Sequence, residues 1–506
     1  MVFFSDKNGS SYSVDNPEQF LSSKAITRRT NQGIAITELD LPVNDSYIQG
    51  VKDLDVDVFF LSKWFNAALI QTEANKIASV TDLSYVDSVL YIAPDAKLSF
   101  GARKSNKEEK ELGRTSAENN LQSKMLGVNT LQSEGFDGAG VSIAVLDAGF
   151  TGVDTENGFS DVFNGNKLKF VFNFVENNEE VYKISTHGTR VFSTMAASID
   201  NEYRGIAVQA DYMLFVTEDA PTEYRIEEYN WLIAAEKADS AGVDIITSSL
   251  GYNTFDDPAM DYVYEDLDGE TTIITQAANI ATSKGILVVV SAGNMGNDPW
   301  QFITAPADAR DILAVGSVNI NGSISSFSSL GPAADGRIKP DIAALGSGAV
   351  LVSNGGVTTG NGTSFASPQV AGLAALLWQA NPTLSNLELR ELILSIGSQS
   401  ENPDNNLGYG IPNYNQTLAL PTESTQQLVV YPNPVVGNSI NIGHKGLSFS
   451  NAIVTVMSAT GQIIIKQTWG SGQELNQLSI AGLKKGVYQL VIHNSDQIYK
   501  TRFVKY

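Results

Sequence analysis

Cysteine is absent from all 506 residues. That removes disulfides, thiolate nucleophiles and thiolate metal sites together, and it leaves the redox compartment undefined. Histidine is nearly as scarce, with three in the chain, at 187, 444 and 493. Positive charge is short as well. Lys and Arg number 33 against 56 Asp and Glu, a formal net charge of −23. Such a chain repels phosphate backbones, which excludes nucleic acid as a partner class. No apolar run reaches the roughly 18 residues of a membrane helix, so no membrane span is expected. The opening "MVFFSDKNGSS" has no basic flank and only a short apolar run, unlike a signal peptide.

What is present is ample core material, since 42% of residues are hydrophobic. A chain this long is expected to fold as two to four units. Three regions separate by pattern. Residues 1–97 mix strand-like runs (Val2 to Phe4, Val56 to Phe60, Val89 to Ile92) with helical stretches, a small α+β unit. Its Arg28–Arg29 pair reads as a solvated helix end rather than a processing site. Residues 98–117, which take in most of the polar run "KSNKEEKELGRTSAENN", read as an exposed linker open to proteolysis.

Residues 118–420 carry buried-type strands: "VSIAVLD", "YMLFVT", "VDIITSSL", "ILVVVSAGN" and "ILAVGSV". Helical patterns such as "IEEYNWLIAAEKADSAG" and "TTIITQAANIATSKG" alternate with them, which predicts an α/β fold with a parallel sheet covered on both faces. Reactive groups in such sheets gather beyond the carboxyl ends of the strands. Residues 424–506 hold short alternating runs between Gly and Asn turns, which predicts a small β-sandwich.

The stretch "GNGTSFASPQVAGLAALLWQA" (360–380) sets Ser364 among small residues at the head of an apolar helix. Serine alone is a weak nucleophile and needs a base, and the base needs an orienting group. His187 is the single imidazole of the α/β region, and "THGTRVFSTMAAS" places it at a helix N-terminus. The positive dipole there disfavours the charged ring and keeps it able to accept a proton. Asp147 ends the strand "VSIAVLD", where a carboxylate can hold one ring nitrogen. Asn294, after "ILVVVSAG", offers an amide donor at the same sheet edge for an oxyanion, with the Ser364 N–H as the second donor. Small residues at 362, 363, 366 and 367 leave room for a substrate carbonyl, and Pro368 falls early in the helix, where few backbone bonds are lost. Each residue also has a structural reading: Asp147 as a turn cap, His187 as a helix start, Asn294 as a left-handed turn residue, Ser364 as an N-cap.

Together "VLDAGF", "HGT", "SAGN" and "NGTSFASP" resemble the four signature segments of subtilisin-like serine proteases, in that family's order, over roughly residues 118–415. The resemblance implies a triad of Asp147, His187 and Ser364 with Asn294 as oxyanion donor. It also implies that Ser249, Leu250 and Gly251 line one wall for substrate, with Ala292 and Gly293 opposite. Ala148 stands where Thr or Ser is commoner, and "AALGSG" replaces the usual Ala-Pro-Gly. Residues 1–97, notably "KWFNAALIQTEANKIASV", resemble a subtilase propeptide, an intramolecular inhibitor. The tail, with "YPNPV", "GVYQLVI" and "RFVKY", is similar to the C-terminal sorting domain of type IX secretion substrates. That implies export by the secretion machinery, and the sequence is therefore expected to begin near a signal cleavage point.

The function expected is a secreted serine endopeptidase made as a zymogen, acting on protein or peptide substrates with no cofactor needed for chemistry. Two alternatives stand beside it. One is an inert subtilase-like surface binding protein. The other is an α/β-hydrolase esterase, which would need a Gly where Ala366 stands and would have to recruit His444 or His493. Structural calcium is implied as an option by the family. The acidic loops 255–270 and 401–406 lack regular ligand spacing, so solvated surface is the expectation there and no metal ligand is assigned.

Overall fold

The computed structural model describes residues 1–93, 121–415, 429–443, 452–458, 463–469, 475–494 and 497–505, so the expected linker 98–117 and His444 lie outside the described residues. The chain divides into two compact units, Met1–Leu418 and Ala419–Tyr506. Among the described residues no helix is long and apolar enough to cross a membrane.

The first unit opens with a leader built on a four-stranded antiparallel sheet, ordered Asp57–Ser62, Ala67–Gln71, Val2–Phe4, Val86–Val89. Alternation puts Val2 and Phe4 on one face, where they pack with Val43, Ile48, Val51, Ala68 and Val80. The last strand lies at 86–89 rather than 89–92. Val89 faces Val2 across the ladder, and the Leu90 N–H donates to Met1 O at 2.8 Å.

Behind the leader stands a parallel sheet of seven strands. Its order is Ile342–Leu345, Leu313–Val318, Leu287–Ser291, Ile245–Ser248, Ser142–Asp147, Asp211–Val216, Leu168–Asn173. The five strands expected from continuous apolar runs are the five central ones. Of the two edges, "LKFVFN" is half exposed and its apolar run is broken by Lys169, while "IAAL" is fully buried but only four residues long. Successive side chains feed opposite cores. Ile143 and Val145 join one with Phe192, Phe365 and Val370, while Ala144 and Leu146 join the other with Trp231 and Ala277. Helices His187–Ala196 and Thr363–Ala380 cover the first face, Ile226–Ala241 and Ile273–Ser283 the second. The chain order reverses about the Ser142–Asp147 strand, so a crevice opens beyond the carboxyl ends there.

The Arg28–Arg29 pair is not a solvated helix end. It sits on the helix Ser23–Gln32, and the two residues are 5% and 1% exposed. Arg28 Nη2 reaches Asp239 Oδ1 at 2.5 Å, and Arg29 Nη2 reaches the same oxygen at 2.7 Å and Asp40 Oδ1 at 3.1 Å. Lys63 Nζ meets Asp239 Oδ2 at 3.0 Å, and Lys284 Nζ meets Asp40 Oδ1 at 2.9 Å. Buried charges persist only when paired, and this helix faces an acid of the α/β region. Burial pushes the Asp239 carboxyl up, but the Lys63, Arg29 and Arg28 cations outweigh it and hold it well below the usual range. Beside this network Glu236 accepts from Ser62 Oγ at 2.5 Å, Lys63 N at 2.8 Å and Trp64 N at 3.2 Å. Further along the seam Phe60 of the leader lies on Phe172 of the edge strand and on Phe174 just past its end, with ring centroids 6.4 and 5.6 Å apart.

The second unit, taken by itself, has a three-stranded sheet (Val429–Tyr431, Ser439–Gly443, Leu475–Ser479) and a four-stranded one (Ile463–Trp469, Ala452–Ser458, Gly486–Asn494, Gln497–Lys505). Ile440, Ile442 and Leu478 of the first share a core with Val454, Val456, Leu490 and Phe503 of the second. Two antiparallel sheets closing on one core make a sandwich.

Candidate active site

Asp147 is the last residue of its strand and is fully buried. His187 begins its helix, and its N–H donates to Ser185 Oγ at 3.1 Å. The two meet because Gly188 has no side chain. A Cβ there would stand 2.5 Å from Gly149 O and 3.0 Å from Asp147 Cβ. His187 Nδ1 lies 2.7 Å from Asp147 Oδ1, which also accepts the Ala148 N–H at 2.8 Å. An ionised carboxylate only accepts, so this contact assigns the hydrogen to Nδ1 and leaves Nε2 as the basic nitrogen of the neutral ring. Burial pushes the Asp147 carboxyl up, against the opposing pull of His187 and the Ala148 N–H. Its Oδ2 is buried with no hydrogen-bond partner among the described residues.

Ser364 is the second residue of the helix Thr363–Ala380. Its Oγ donates to Ser249 O at 3.4 Å, and its carbonyl accepts from Ser249 Oγ at 2.8 Å. That carbonyl is the one a residue at 368 would bond in an α-helix, and Pro368 has no N–H. Pro368 thus occupies the sixth helical position, where an internal bond is lost, and Ser249 supplies the replacement donor. Asn294 Oδ1 accepts from both Thr363 N and Thr363 Oγ1 at 2.9 Å, capping the same helix. With its oxygen so engaged, the amide leaves its NH2 group to donate elsewhere.

A cleft of about 320 Å³ gathers these groups. Its lining includes His187, Ser249, Leu250, Gly251, Gly293, Asn294 and Ser364. The His187 ring lies 6.2 Å, centroid to centroid, from the buried Phe365 ring. Ala292 is not part of the lining. It is fully buried, its N–H donating to Val315 O at 2.9 Å and its carbonyl accepting from Thr304 N at 3.2 Å. Glu218, Thr304 and Phe327 also line the cleft. None stands in a signature segment. Glu218 lies two residues beyond the strand that ends at Val216, the partner of Asp147 in the sheet, and that position is the one signal the sequence offers.

In the acidic loops the carboxylates close local turns. Asp257, Asp261, Asp266, Asp268 and Asp404 each accept backbone N–H groups within their own segments. Carboxylates that come together are those of Glu218, Glu223 and Glu227, with ligand-type oxygens within 4.8 Å of one another. The sequence reading did not single them out.

Comparison with known proteins follows this architecture. The subtilase family model matches residues 138–410. A Bacteroidota propeptide-domain model of the same peptidase family matches 1–111, and a secretion system C-terminal sorting domain matches 429–506. Serine protease AprX of Bacillus subtilis is 30% identical over 318 residues, 56% of this chain and 67% of that protein. Subtilisin NAT of Bacillus subtilis subsp. natto is 31% identical over 269 residues, 52% of this chain and 62% of that protein. The chain therefore spans under two thirds of the latter's length. The Clostridium perfringens CspB protease shares the fold, with a TM-score of 0.51 at 16% identity, covering 59% of this chain and 98% of that one. The sorting domain marks export through type IX secretion to the cell surface or beyond. The α/β-hydrolase alternative is set aside, because the segment that carries Asp147, His187, Asn294 and Ser364 matches another family. With a propeptide domain before its α/β region and a sorting domain after it, the chain belongs to the subtilase family.

Proposed function

We propose that the chain is a secreted serine endopeptidase made as a zymogen. Ser364 Oγ attacks a peptide carbonyl carbon, and His187 Nε2 takes its proton. Asp147 holds the ring through Nδ1, and the Asn294 NH2 and the Ser364 N–H receive the oxyanion. The C–N bond then breaks as His187 returns the proton to the leaving amine, giving an acyl-enzyme that water hydrolyses. The leader acts as intramolecular inhibitor until removed, and the tail addresses the secretion machinery. The observation that carries this reading is the 2.7 Å contact of a cleft-lining imidazole with a fully buried carboxylate, in the cleft that holds Ser364.

Mass spectrometry of the purified chain beside Ser364→Ala tests it. The unaltered chain is expected to shed its leader and to be labelled by a fluorophosphonate at Ser364. The variant should remain whole and unlabelled, with proteolysis lowered on the order of 10⁴-fold or more. A Ser364→Ala chain that still trims itself ends the proposal, and an unlabelled natural chain points to the inert binding protein.

A further inference from the structure

The two sheets of the tail unit turn unlike faces outward. On the three-stranded sheet the outward positions are polar. Ser439 stands opposite Ser479, and Asn441 stands opposite Gln477, whose Nε2 donates to Ser439 Oγ at 3.1 Å. Antiparallel sandwiches are ordinarily built so, apolar within and polar without. The four-stranded sheet departs from that pattern. Val454, Val456, Tyr488, Leu490, Ile492 and Phe503 fill the core. Alternation then turns Ile453, Met457, Ile464, Val487, Val491 and Val504 outward. Ile453, Ile464 and Val487 are 36%, 43% and 49% exposed. Register joins the outward residues into one patch, with Val487 beside Val504 and Val491 beside Thr455. Cations border it: exposed Lys466 stands opposite Thr455, and exposed Arg502 opposite Gln489. The four strands contain no Asp or Glu.

A contiguous apolar patch on the solvent side of a sheet is a contact surface, as scattered single residues are not. Charge says what kind of surface fits it. Residues 419–506 carry seven Lys and Arg against three Asp and Glu, while the rest of the chain carries 26 against 53. An acidic partner therefore attracts the tail and repels what precedes it, which steers the encounter to the tail. A second copy would bring the same cations and, on these strands, no acid to meet them. We propose that the tail docks through the outward face of its four-stranded sheet onto a protein of the export machinery, one that offers an apolar patch rimmed by carboxylates. Resting on the export reading above and independent of the peptidase chemistry, this adds which face is read and by what chemistry.

The experiment follows the full Ser364→Ala chain in the bacterium that makes it, as the fraction reaching the cell surface or medium. Val487→Glu with Val504→Glu sets acid in the patch, and Arg502→Glu reverses its border. Gln477→Glu with Ser479→Glu puts the same charge on the opposite sheet. The first two changes should lower the exported fraction at least about 10-fold, the scale of an interface anchor, and the third should leave it at the parent level. Thermal unfolding of each purified chain checks the fold. Should the Val487 and Val504 pair unfold early, Val487→Thr with Val504→Thr, which keeps the shape, must lower export in the same direction. In parallel the purified parent is mixed with outer-membrane vesicles of that bacterium and with protein-free vesicles of the lipids extracted from them. Retention on the first alone is expected, weakened by salt and by Arg502→Glu. Equal retention on protein-free vesicles makes the partner a lipid, and a parent dimer that the Val487 and Val504 changes dissolve makes it a second copy. Either result overturns this inference alone, as does export of the outward-face variants at the parent level. A parent chain that is never exported overturns the export reading, and this one with it.

Discussion

Asn294 carries two tasks on one amide, and a pair of substitutions separates them. Its oxygen caps the Thr363 helix, while its NH2 is the group proposed to meet a developing oxyanion. Asn294→Asp keeps an acceptor for Thr363 and removes the donor. Its kcat should fall about 10²–10³-fold or further, with thermal unfolding close to that of the natural chain. Asn294→Ala should lose rate similarly and also about 1 kcal/mol of stability through the lost cap. Full kcat in either variant would remove Asn294 from the proposed chemistry. At this scale the candidate triad was legible because each member sits inside a short local segment, and only one histidine was available to the α/β region. Thr304 was not legible. Its place in the cleft depends on Gly251, Ala292 and Gly293, which lie beyond the ends of two different strands.

Elements show the same division. The central strands announce themselves because both faces are buried, and an unbroken apolar run is what such burial requires. The edges carry less signal, Leu168–Asn173 because it is half exposed and Ile342–Leu345 because it is only four residues long. Pro368 shows how an element borrows from its neighbour. A proline inside a helix removes a backbone donor, and here a serine after the Ile245–Ser248 strand replaces it. Ser249→Ala should leave the buried Ser364 carbonyl unsatisfied, at a cost of about 1–3 kcal/mol in denaturant unfolding. Pro368→Ala restores an N–H, so the double variant should recover part of that loss. Simple additivity of the two changes would show that Ser249 and Pro368 are not coupled.

At the scale of the whole molecule the leader is held by charges that no local window predicts. Arg29 and Asp239 are 210 positions apart, so a polar helix end and a buried ion pair look alike in sequence. The clasp also gives docking a pH dependence. Burial under the leader raises the Glu236 carboxyl from 4.5 to about 7, partly offset by Lys63 and the donors of Ser62, Lys63 and Trp64. A raised carboxyl binds its proton more tightly in the docked state. Its contribution is fully present below 4.5 and is lost as pH rises through about 7. Asp239 runs the other way. Held below its ordinary 3.8, it contributes above that value and loses its contribution as pH falls through its docked value. The leader is therefore gripped best under mildly acidic conditions and slackens on the alkaline side. In the Ser364→Ala chain, hydrogen-exchange protection factors of the leader should drop between about pH 5.5 and 8, and Glu236→Gln should flatten that drop. Equal protection at both values would show that Glu236 does not tune docking.

Phe60 lies against Phe172 on the outermost strand of the seven and against Phe174 just past its end. If the leader is shed as proposed, that seam becomes wetted surface and the remaining molecule carries an apolar flank along an edge strand. Two such flanks would adhere on meeting, were it not for the acidic excess of the chain, which keeps like molecules at a distance in dilute salt.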